Sequence, residues 1–320
     1  MSHADTIRVR VAAIHQPTPV IKHFVLEPVV GSYLPAFSGG SHIIVVMRGA
    51  TRVYRNPYSL LSPPNRLTAY EIAVRRTDDS RGGSHFMHDQ LKIGNEIEIS
   101  HPVNLFPLDK LSRKQLLLAG GIGITPFLAQ LEDLHGGPVP YELHYSVRGQ
   151  EHSAFRDQLV ARHGARVRMY YDSEKQQIDF DGLLAAQPLG THVYVCGPAG
   201  MIERVLNTAI RFGWSKSHVH WEKFNAPPVG EAFDVFLKKS GLNVSVLPDQ
   251  SLLEAIESAG IDAPYLCRGG VCGECKTTVL ESDGGLEHND HFLTAEEKVS
   301  AKLIMPCVSR ARGKNLVLDL

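Results

Sequence analysis

The chain has 320 residues, a length that fits two or three domains, and its 43% hydrophobic and 21% charged content is that of an ordinary soluble globular protein. A formal net charge of -1 supplies no basic field to draw nucleic acid or an anionic membrane, and no stretch approaches the ~20 apolar residues of a membrane span. The N-terminal MSHADTIRVRV lacks an apolar run before a small-residue cleavage site, and the cysteine count of five is odd. Together these features argue against a secreted disulfide framework and for a cytoplasmic protein.

Residues 5–107 read as short strands. TIRVRVAAI, IKHFVLEPV, SHIIVVM and AYEIAVRR mix β-branched residues with partial alternation and are broken by Gly, Pro and Ser, the pattern of a β-barrel or sandwich. A helix is expected after RGGS, in HFMHDQLK. From Lys114 the pattern changes: QLLLAG precedes TPFLAQLEDL, YELHYSV precedes SAFRDQLVARHG, and HVYVCG precedes PAGMIERVLNTAIRFG. Strands alternating with helices predict a parallel sheet with crossover helices. NAPPVGEA reads as a linker. Beyond it, FDVFLKKSGLNVSVLP predicts a hairpin, and SLLEAIESAG a helix whose Ser251 and Glu254 fit a capping box. The expected division is 1–107, 108–225, a linker at 226–232, and 233–320.

Four of the five cysteines fall near the C-terminus. Cys267-x4-Cys272-x2-Cys275, with Cys307 thirty-two residues on, has the ligand spacing of a plant-type [2Fe–2S] cluster. Four thiolates must converge on two irons, so one loop wraps the cluster while the fourth ligand arrives from elsewhere. Gly269, Gly270 and Gly273 let that loop turn tightly and aim N–H groups at sulfur. The alternative is a structural zinc, although zinc sites usually pair two short knuckles and here one ligand stands alone. A plant-type cluster takes single electrons, whereas a nicotinamide gives up hydride; a flavin is the usual converter between them.

LLLAGGIGITPFLAQL is a strand, a glycine turn and a helix opened by Pro126. Gly120, Gly121 and Gly123 permit close approach of a ligand, although the full dinucleotide fingerprint is absent and a plain strand-to-helix connection reads equally well. YVCGPAGMI supplies a second such turn, with Cys196 and Gly197 at the end of its strand, where open α/β sheets bind ligands. Burial as a small hydrophobe is the bland alternative for Cys196. Asp172, after RVRMYY, is a candidate for the ribose hydroxyls, which would favour NADH, and reads equally well as a solvated loop acid, while Arg148 keeps NADPH open. Sixteen histidines include EHNDHF at 287–292, whose spacing fits no metal site.

Taken in order, RNPYSL, RGGS, GGIGITP, CGP and the four-cysteine pattern resemble the phthalate dioxygenase reductase family over essentially the whole chain. SLLSPP and GGSHIIVVM lean towards the reductases of carnitine-type monooxygenases. The resemblance implies a multidomain protein: an antiparallel β-barrel that binds FMN, a parallel-sheet α/β domain for NADH, and an α+β, β-grasp plant-type ferredoxin domain. It implies an NADH-dependent oxidoreductase that feeds electrons to a separate Rieske-type terminal oxygenase. Reduction of a cytochrome P450, or a low-turnover redox sensor, are the alternatives.

Carried over by position, the resemblance places Tyr58 and Ser59 against the flavin ring, with Ser59 near N5, and Gly82, Gly83 and Ser84 at the flavin phosphate. One phosphate favours FMN over FAD. The family's arginine two residues before the tyrosine is Asn56 here, which leaves Arg55, one position earlier, as the phosphate-binding candidate. Thr125 and Cys196 are placed beside the nicotinamide, and Phe224 over the flavin. The EHNDHF segment falls where the family has an acidic surface turn.

Overall fold

A computed structural model describes residues 6–50, 52–78, 80–224 and 227–320. The chain divides into two units, Ile7–Lys223 and a second that takes in Phe224–Leu320.

In the first unit, an antiparallel sheet is built from β1 (Ile7–Thr18), β2 (Ile21–Pro28), β3 (Ser41–Arg48), β4 (Val53–Ser59), β5 (Tyr70–Arg75), β6 (Glu96–Ile99) and β7 (Val103–Asn104). The order is β4-β3-β6-β1-β2-β5, with β7 on β3, and the two end strands approach one another. The sheet thus curls into a barrel around Val9, Phe24, Ile43, Val45, Met47 and Ile72. β3 is covered on both faces, which is why HIIVVM is apolar without alternation. After β5, a short helix α1 (Gly83–His85) runs into a wide helical turn over Phe86–Gln90.

The parallel sheet follows, with β8 (Lys114–Gly120), β9 (Tyr141–Val147), β10 (Val167–Tyr171), β11 (Thr191–Cys196) and β12 (Val219–Glu222) in the order β10-β9-β8-β11-β12. The crossovers are α2 (Thr125–Leu134), α3 (Arg156–His163), α4 (Phe180–Ala185) and α5 (Ala199–Arg211). From β8 the chain winds one way over β9 and β10, then returns to the other side of β8 for β11 and β12. The order therefore reverses between β8 and β11, and a crevice opens at their C-terminal ends.

Two contacts position that crevice. Gly123 lies against the carbonyl of Cys196, where a Cβ would collide, and a Cβ on Gly120 would stand 2.6 Å from Pro198 Cδ. The turns after β8 and β11 interlock through their backbones. The barrel shares its core with the parallel sheet: Ile21, Leu61, Ala73 and Phe106 pack in one buried cluster with Ile124, Phe127 and Leu131. Polar ties reinforce the seam, with Gly39 N–H donating to Asp133 Oδ2 at 2.7 Å and Gln130 Nε2 to the Phe106 carbonyl at 2.7 Å. The core is continuous across residues 107 and 108.

In the second unit, β13 (Phe233–Leu237), β14 (Leu242–Val246), β15 (Thr277–Ser282), β17 (Leu303–Ile304) and β19 (Asn315–Leu318) form a mixed sheet in the order β14-β13-β19-β15-β17, while β16 (Leu286–Glu287) pairs with β18 (Arg310–Ala311). β13 and β19 run parallel, as a β-grasp requires. α6 (Leu252–Ser258) supplies Leu252, Leu253 and Ile256 to the core, and α7 (Ala295–Ser300) follows the cysteine loop. The α6 capping box is complete: Glu254 N–H donates to Ser251 Oγ at 3.1 Å, and Ser251 N–H to Glu254 Oε2 at 2.9 Å. Of the expected linker, residues 225 and 226 lie outside the described residues, and 227–232 carry no strand or helix. Among the described residues no helix is long and apolar enough to cross a membrane.

Gly123→Ala should destabilise the first unit by about 1–3 kcal/mol, because neither turn can retreat from the other. Both tryptophans, Trp214 and Trp221, belong to that unit, so their fluorescence during urea unfolding reads the change. Unfolding should also depend on pH. Burial lowers His42 and His220 from 6.5 to about 4, and burial with Arg66 nearby does the same to His23. These rings are neutral when folded, so their contribution is complete above 6.5 and is lost as pH falls towards 4. A urea midpoint that stays flat over that window would contradict the assignment.

Candidate functional site

β4 alternates, so Tyr54, Asn56 and Tyr58 share one face and Arg55 and Ser59 the other. The turn into α1 lies against the first face: a Cβ on Gly82 would strike the Tyr54 ring, and one on Gly83 the Asn56 amide. Gly82 has φ +117, so this close approach also needs a backbone that other residues rarely adopt. Asn56 Nδ2 donates to Tyr58 Oη at 3.3 Å, and burial pushes the Tyr58 phenol up to about 12. Asn56 is therefore the β4 side chain brought to the Gly82–Ser84 turn on the tyrosine's face, while alternation directs Arg55 to the opposite face.

Two buried hydroxyls flank this region. Ser59 Oγ and Ser84 Oγ are sealed from solvent and, among the described residues, have no hydrogen-bond partner. Buried polar atoms are rarely left unmatched, and one hydroxyl at each end of a strand-and-turn cradle suits a ring with a phosphate tail. The residues fit a flavin mononucleotide.

Thr125 is buried at the start of α2, its Oγ1 donating to the Ile122 carbonyl at 3.0 Å. Leu61, two residues past Ser59, shares the buried cluster with Ile124 and Phe127, which flank Thr125 on the chain. The end of β4 and the GGIGITP turn are thus brought together. Gly120, Gly123 and Gly197 belong to the interlock of the two turns, whereas a Cβ on Gly121 would meet open space. Cys196 is fully buried, and burial, with Glu222 adding, holds its thiol well above the usual value. It is a neutral wall of the crevice.

Glu222, absent from the sequence-derived site, pairs in register with Cys196 across β11 and β12. Its Oε2 is sealed without a partner among the described residues, and burial pushes the carboxyl up to about 8. A short apolar strand ending in an acid was its only sequence signal. Asp172 and Arg148 lie together at the far side of the sheet: both are exposed, and Ser173 N–H donates to the Arg148 carbonyl at 2.8 Å. Phe224 follows β12 by two residues and is 48% exposed.

In the second unit the four cysteines form two close pairs. Cys275 and Cys307 stand 3.3 Å apart at sulfur, and Cys267 and Cys272 are hydrogen-bonded. No three of the described His, Cys, Asp and Glu side chains converge tightly enough for a single metal ion. Two pairs suit two irons with two thiolates each, and not one tetrahedral zinc. Gly269 N–H points at Cys267 Sγ at 3.3 Å. The Cys272 hydrogen bond, and then N–H groups of Val271, Gly269 and Cys272, bring the Cys267 thiol down to about 5 against the effect of burial. These residues fit a [2Fe–2S] cluster, and Cys272 is the least buried of the four.

The EHNDHF segment is only partly at the surface: His291 and Phe292 are exposed, but its aspartate is not. Asp290 is 2% exposed; its Oδ2 accepts from Phe292 and Leu293 N–H at 3.2 and 2.9 Å, and Ser309 Oγ donates to its Oδ1 at 3.3 Å. A Cβ on Gly270 would stand 3.1 Å from Asp290 Cα, and one on Gly273, at φ +83, would strike the Phe292 ring. The segment is the bed of the cysteine loop. Arg268, between Cys267 and Gly269, pairs with the buried Glu257 and stacks 4.0 Å over the Tyr265 ring.

Comparison with known proteins agrees with this architecture. Residues 235–312 match the 2Fe-2S iron-sulfur cluster binding domain, and residues 99–219 match the N-terminal domain described as dimethylamine monooxygenase subunit DmmA-like. The chain is 47% identical to the carnitine monooxygenase reductase subunit of Acinetobacter baumannii, over 100% of this chain and 99% of that one. It is 46% identical to the heme-dependent oxidative N-demethylase beta subunit of Ectopseudomonas mendocina, with 98% of each covered. Among solved structures, phthalate dioxygenase reductase, described as a modular structure for electron transfer from pyridine nucleotides to [2Fe–2S], superposes with a TM-score of 0.88 at 33% identity, covering 98% of both chains. The chain belongs to the family of the phthalate dioxygenase and carnitine monooxygenase reductases, oxidoreductases that join a flavin barrel, a nicotinamide-binding sheet and a [2Fe–2S] domain on one polypeptide.

Proposed function

We propose that this chain is the cytoplasmic reductase component of a multicomponent Rieske-type oxygenase, moving electrons from NADH through FMN and a [2Fe–2S] cluster to the terminal oxygenase. The observation that carries the reading is the paired arrangement of Cys267 with Cys272 and Cys275 with Cys307, on one chain with the flavin and nucleotide sheets. FMN supplies the conversion of hydride into single electrons. The protein supplies position and polarity. With FMN bound, Tyr58 would bear on the ring from one face of β4 and Ser59, on the other face, would reach it at the strand's end near N5, while the N–H groups of Gly82 and Gly83 and the Ser84 hydroxyl would receive the phosphate. Asn56 gives this phosphate a neutral amide on the face where the family has a guanidinium.

Gly121 and Thr125 border the dinucleotide, and Cys196 and Glu222 wall the nicotinamide. Asp172, exposed at the end of β10, repels a 2′-phosphate and favours NADH, with Arg148 beside it as the counterweight. The four cysteines hold the iron, and electrons leave near Cys272. A heme-containing acceptor is the second reading, favoured by the identity to the N-demethylase beta subunit. Isolating the complex from native cells decides between them: a Rieske centre in the co-purifying oxygenase supports the first, and heme the second.

Cys272→Ser should leave NADH-driven flavin bleaching largely intact and stop NADH-dependent reduction of the partner. Loss of both in a folded protein would contradict the division of labour. Glu222 pairs with Cys196 and holds its proton up to about 8, so the rate of flavin reduction by NADH should change as pH rises through that value. Glu222→Gln, permanently neutral, should abolish that dependence; an unchanged pH profile would remove Glu222 from the site.

A further inference from the structure

We propose that the buried pair of Arg268 and Glu257 sets the reduction potential of the [2Fe–2S] cluster, by holding the Cys267–Cys272 loop in the conformation that turns its amides towards sulfur. The inference rests on the reading that the four cysteines hold such a cluster.

Arg268 has φ +52, in the left-handed region, and stands directly between Cys267 and Gly269. Of the three left-handed positions between Cys267 and Cys275, Gly270 and Gly273 are glycines, and only Arg268 carries a side chain. A side chain disfavours that backbone, which persists only where the surroundings hold it. Here they do. The Arg268 guanidinium pairs with Glu257 and lies 4.0 Å over the Tyr265 ring, and the residue is 6% exposed.

Glu257 makes the same point from the other side. It lies in the last turn of α6 with its side chain fully buried. A carboxylate there faces the negative end of its own helix and has lost its water, so it is disfavoured without a cation against it. α6 is a firm anchor: Leu252, Leu253 and Ile256 are buried in the core, and Leu253 N–H donates to the Pro306 carbonyl at 2.9 Å, beside Cys307. One end of α6 thus touches the segment of the fourth ligand, and the other end holds the loop of the first three.

The amide that follows Arg268 is the one that matters. Gly269 N–H points at Cys267 Sγ at 3.3 Å. Amide dipoles aimed at thiolate sulfur stabilise the more negative, reduced state and so raise the potential. Rotation of the backbone at 268 swings that amide away. One electron enters from reduced flavin and the same electron leaves to the acceptor; no bond of the pair forms or breaks, and the pair keeps both its charges throughout. A guanidinium and a carboxylate in contact largely cancel each other's field, so Arg268 and Glu257 are positioning residues that act through the shape of the loop.

Midpoint potentials of the holoprotein, read by low-temperature EPR during an anaerobic redox titration, test the proposal. Glu257→Gln should lower the potential by about 59 mV, a tenfold loss in the equilibrium constant for one-electron reduction. The sign is decisive: removal of an anion that worked through its field alone would raise the potential, and a rise or an unchanged value overturns the proposal. Two double variants remove the pair without leaving a buried charge, and they decide the matter if Glu257→Gln does not assemble. Glu257→Gln combined with Arg268→Gly, and Glu257→Gln combined with Arg268→Gln, have the same net charge, but glycine adopts the left-handed backbone freely. The first should stay near the wild-type potential while the second falls; equal potentials in the two overturn the proposal. A wild-type holoprotein that gives no [2Fe–2S] signal on reduction removes instead the cluster reading on which the proposal stands.

Discussion

The backbone of one strand-to-helix turn must pass within contact distance of another at the centre of the parallel sheet. Gly123 against the Cys196 carbonyl is that contact, and it fixes where β8 and β11 end. Once those ends are set, the crevice where the strand order reverses is set too, with Cys196 and Glu222 as its wall. The helix that leaves the first turn packs Phe127 and Leu131 against Ile21, Leu61, Ala73 and Phe106 of the barrel, so the same turn is also tied to the barrel. A side chain on either glycine would separate the turns and loosen both sites together. Close approach of backbones is thus a structural need and a functional one at the same positions.

A second constraint governs the cysteine loop. Thiolates taken out of water need compensating dipoles, and here the compensation comes from backbone N–H groups. A loop bent to point several amides inwards cannot satisfy its own outer surface, so it needs a bed. Asp290, Phe292 and Ser309 provide one, with the Asp290 carboxylate accepting from two backbone amides and the Ser309 hydroxyl. The ion pair of Arg268 with Glu257 pins the other side. Removing one partner of such a buried pair leaves an uncompensated charge, which is why the two are best regarded as one unit.

Much of this was legible in the sequence because it rests on local pattern. α2 begins at the Thr-Pro pair and spans the expected ten residues, the hairpin of β13 and β14 falls in FDVFLKKSGLNVSVLP, and the Ser251–Glu254 capping box forms as spaced. Shorter elements escaped: β12 and β6 have four residues each and α4 has six, too few to show a period. The remaining gaps concern residues whose meaning comes from a partner far along the chain. Glu222 is an ordinary acid until β12 is laid beside Cys196; Asp290 looked like a surface acid until the loop was folded over it. Strand alternation, legible in principle, places Asn56 and not Arg55 on the tyrosine's face, but β4 had to be known as a strand first.

The central claim is that electrons entering as hydride on one sheet leave singly through the cysteine loop of another unit, with the flavin as the converter. The most direct test is an anaerobic rapid-freeze experiment in which NADH is mixed with the oxidised holoprotein and flavin absorbance and low-temperature EPR are followed on the same samples. The account predicts that flavin bleaching comes first and that the signal of a reduced [2Fe–2S] cluster grows afterwards, at a rate set by loss of reduced flavin. A cluster signal that rises before the flavin is reduced, or equally fast in protein stripped of flavin, would contradict it.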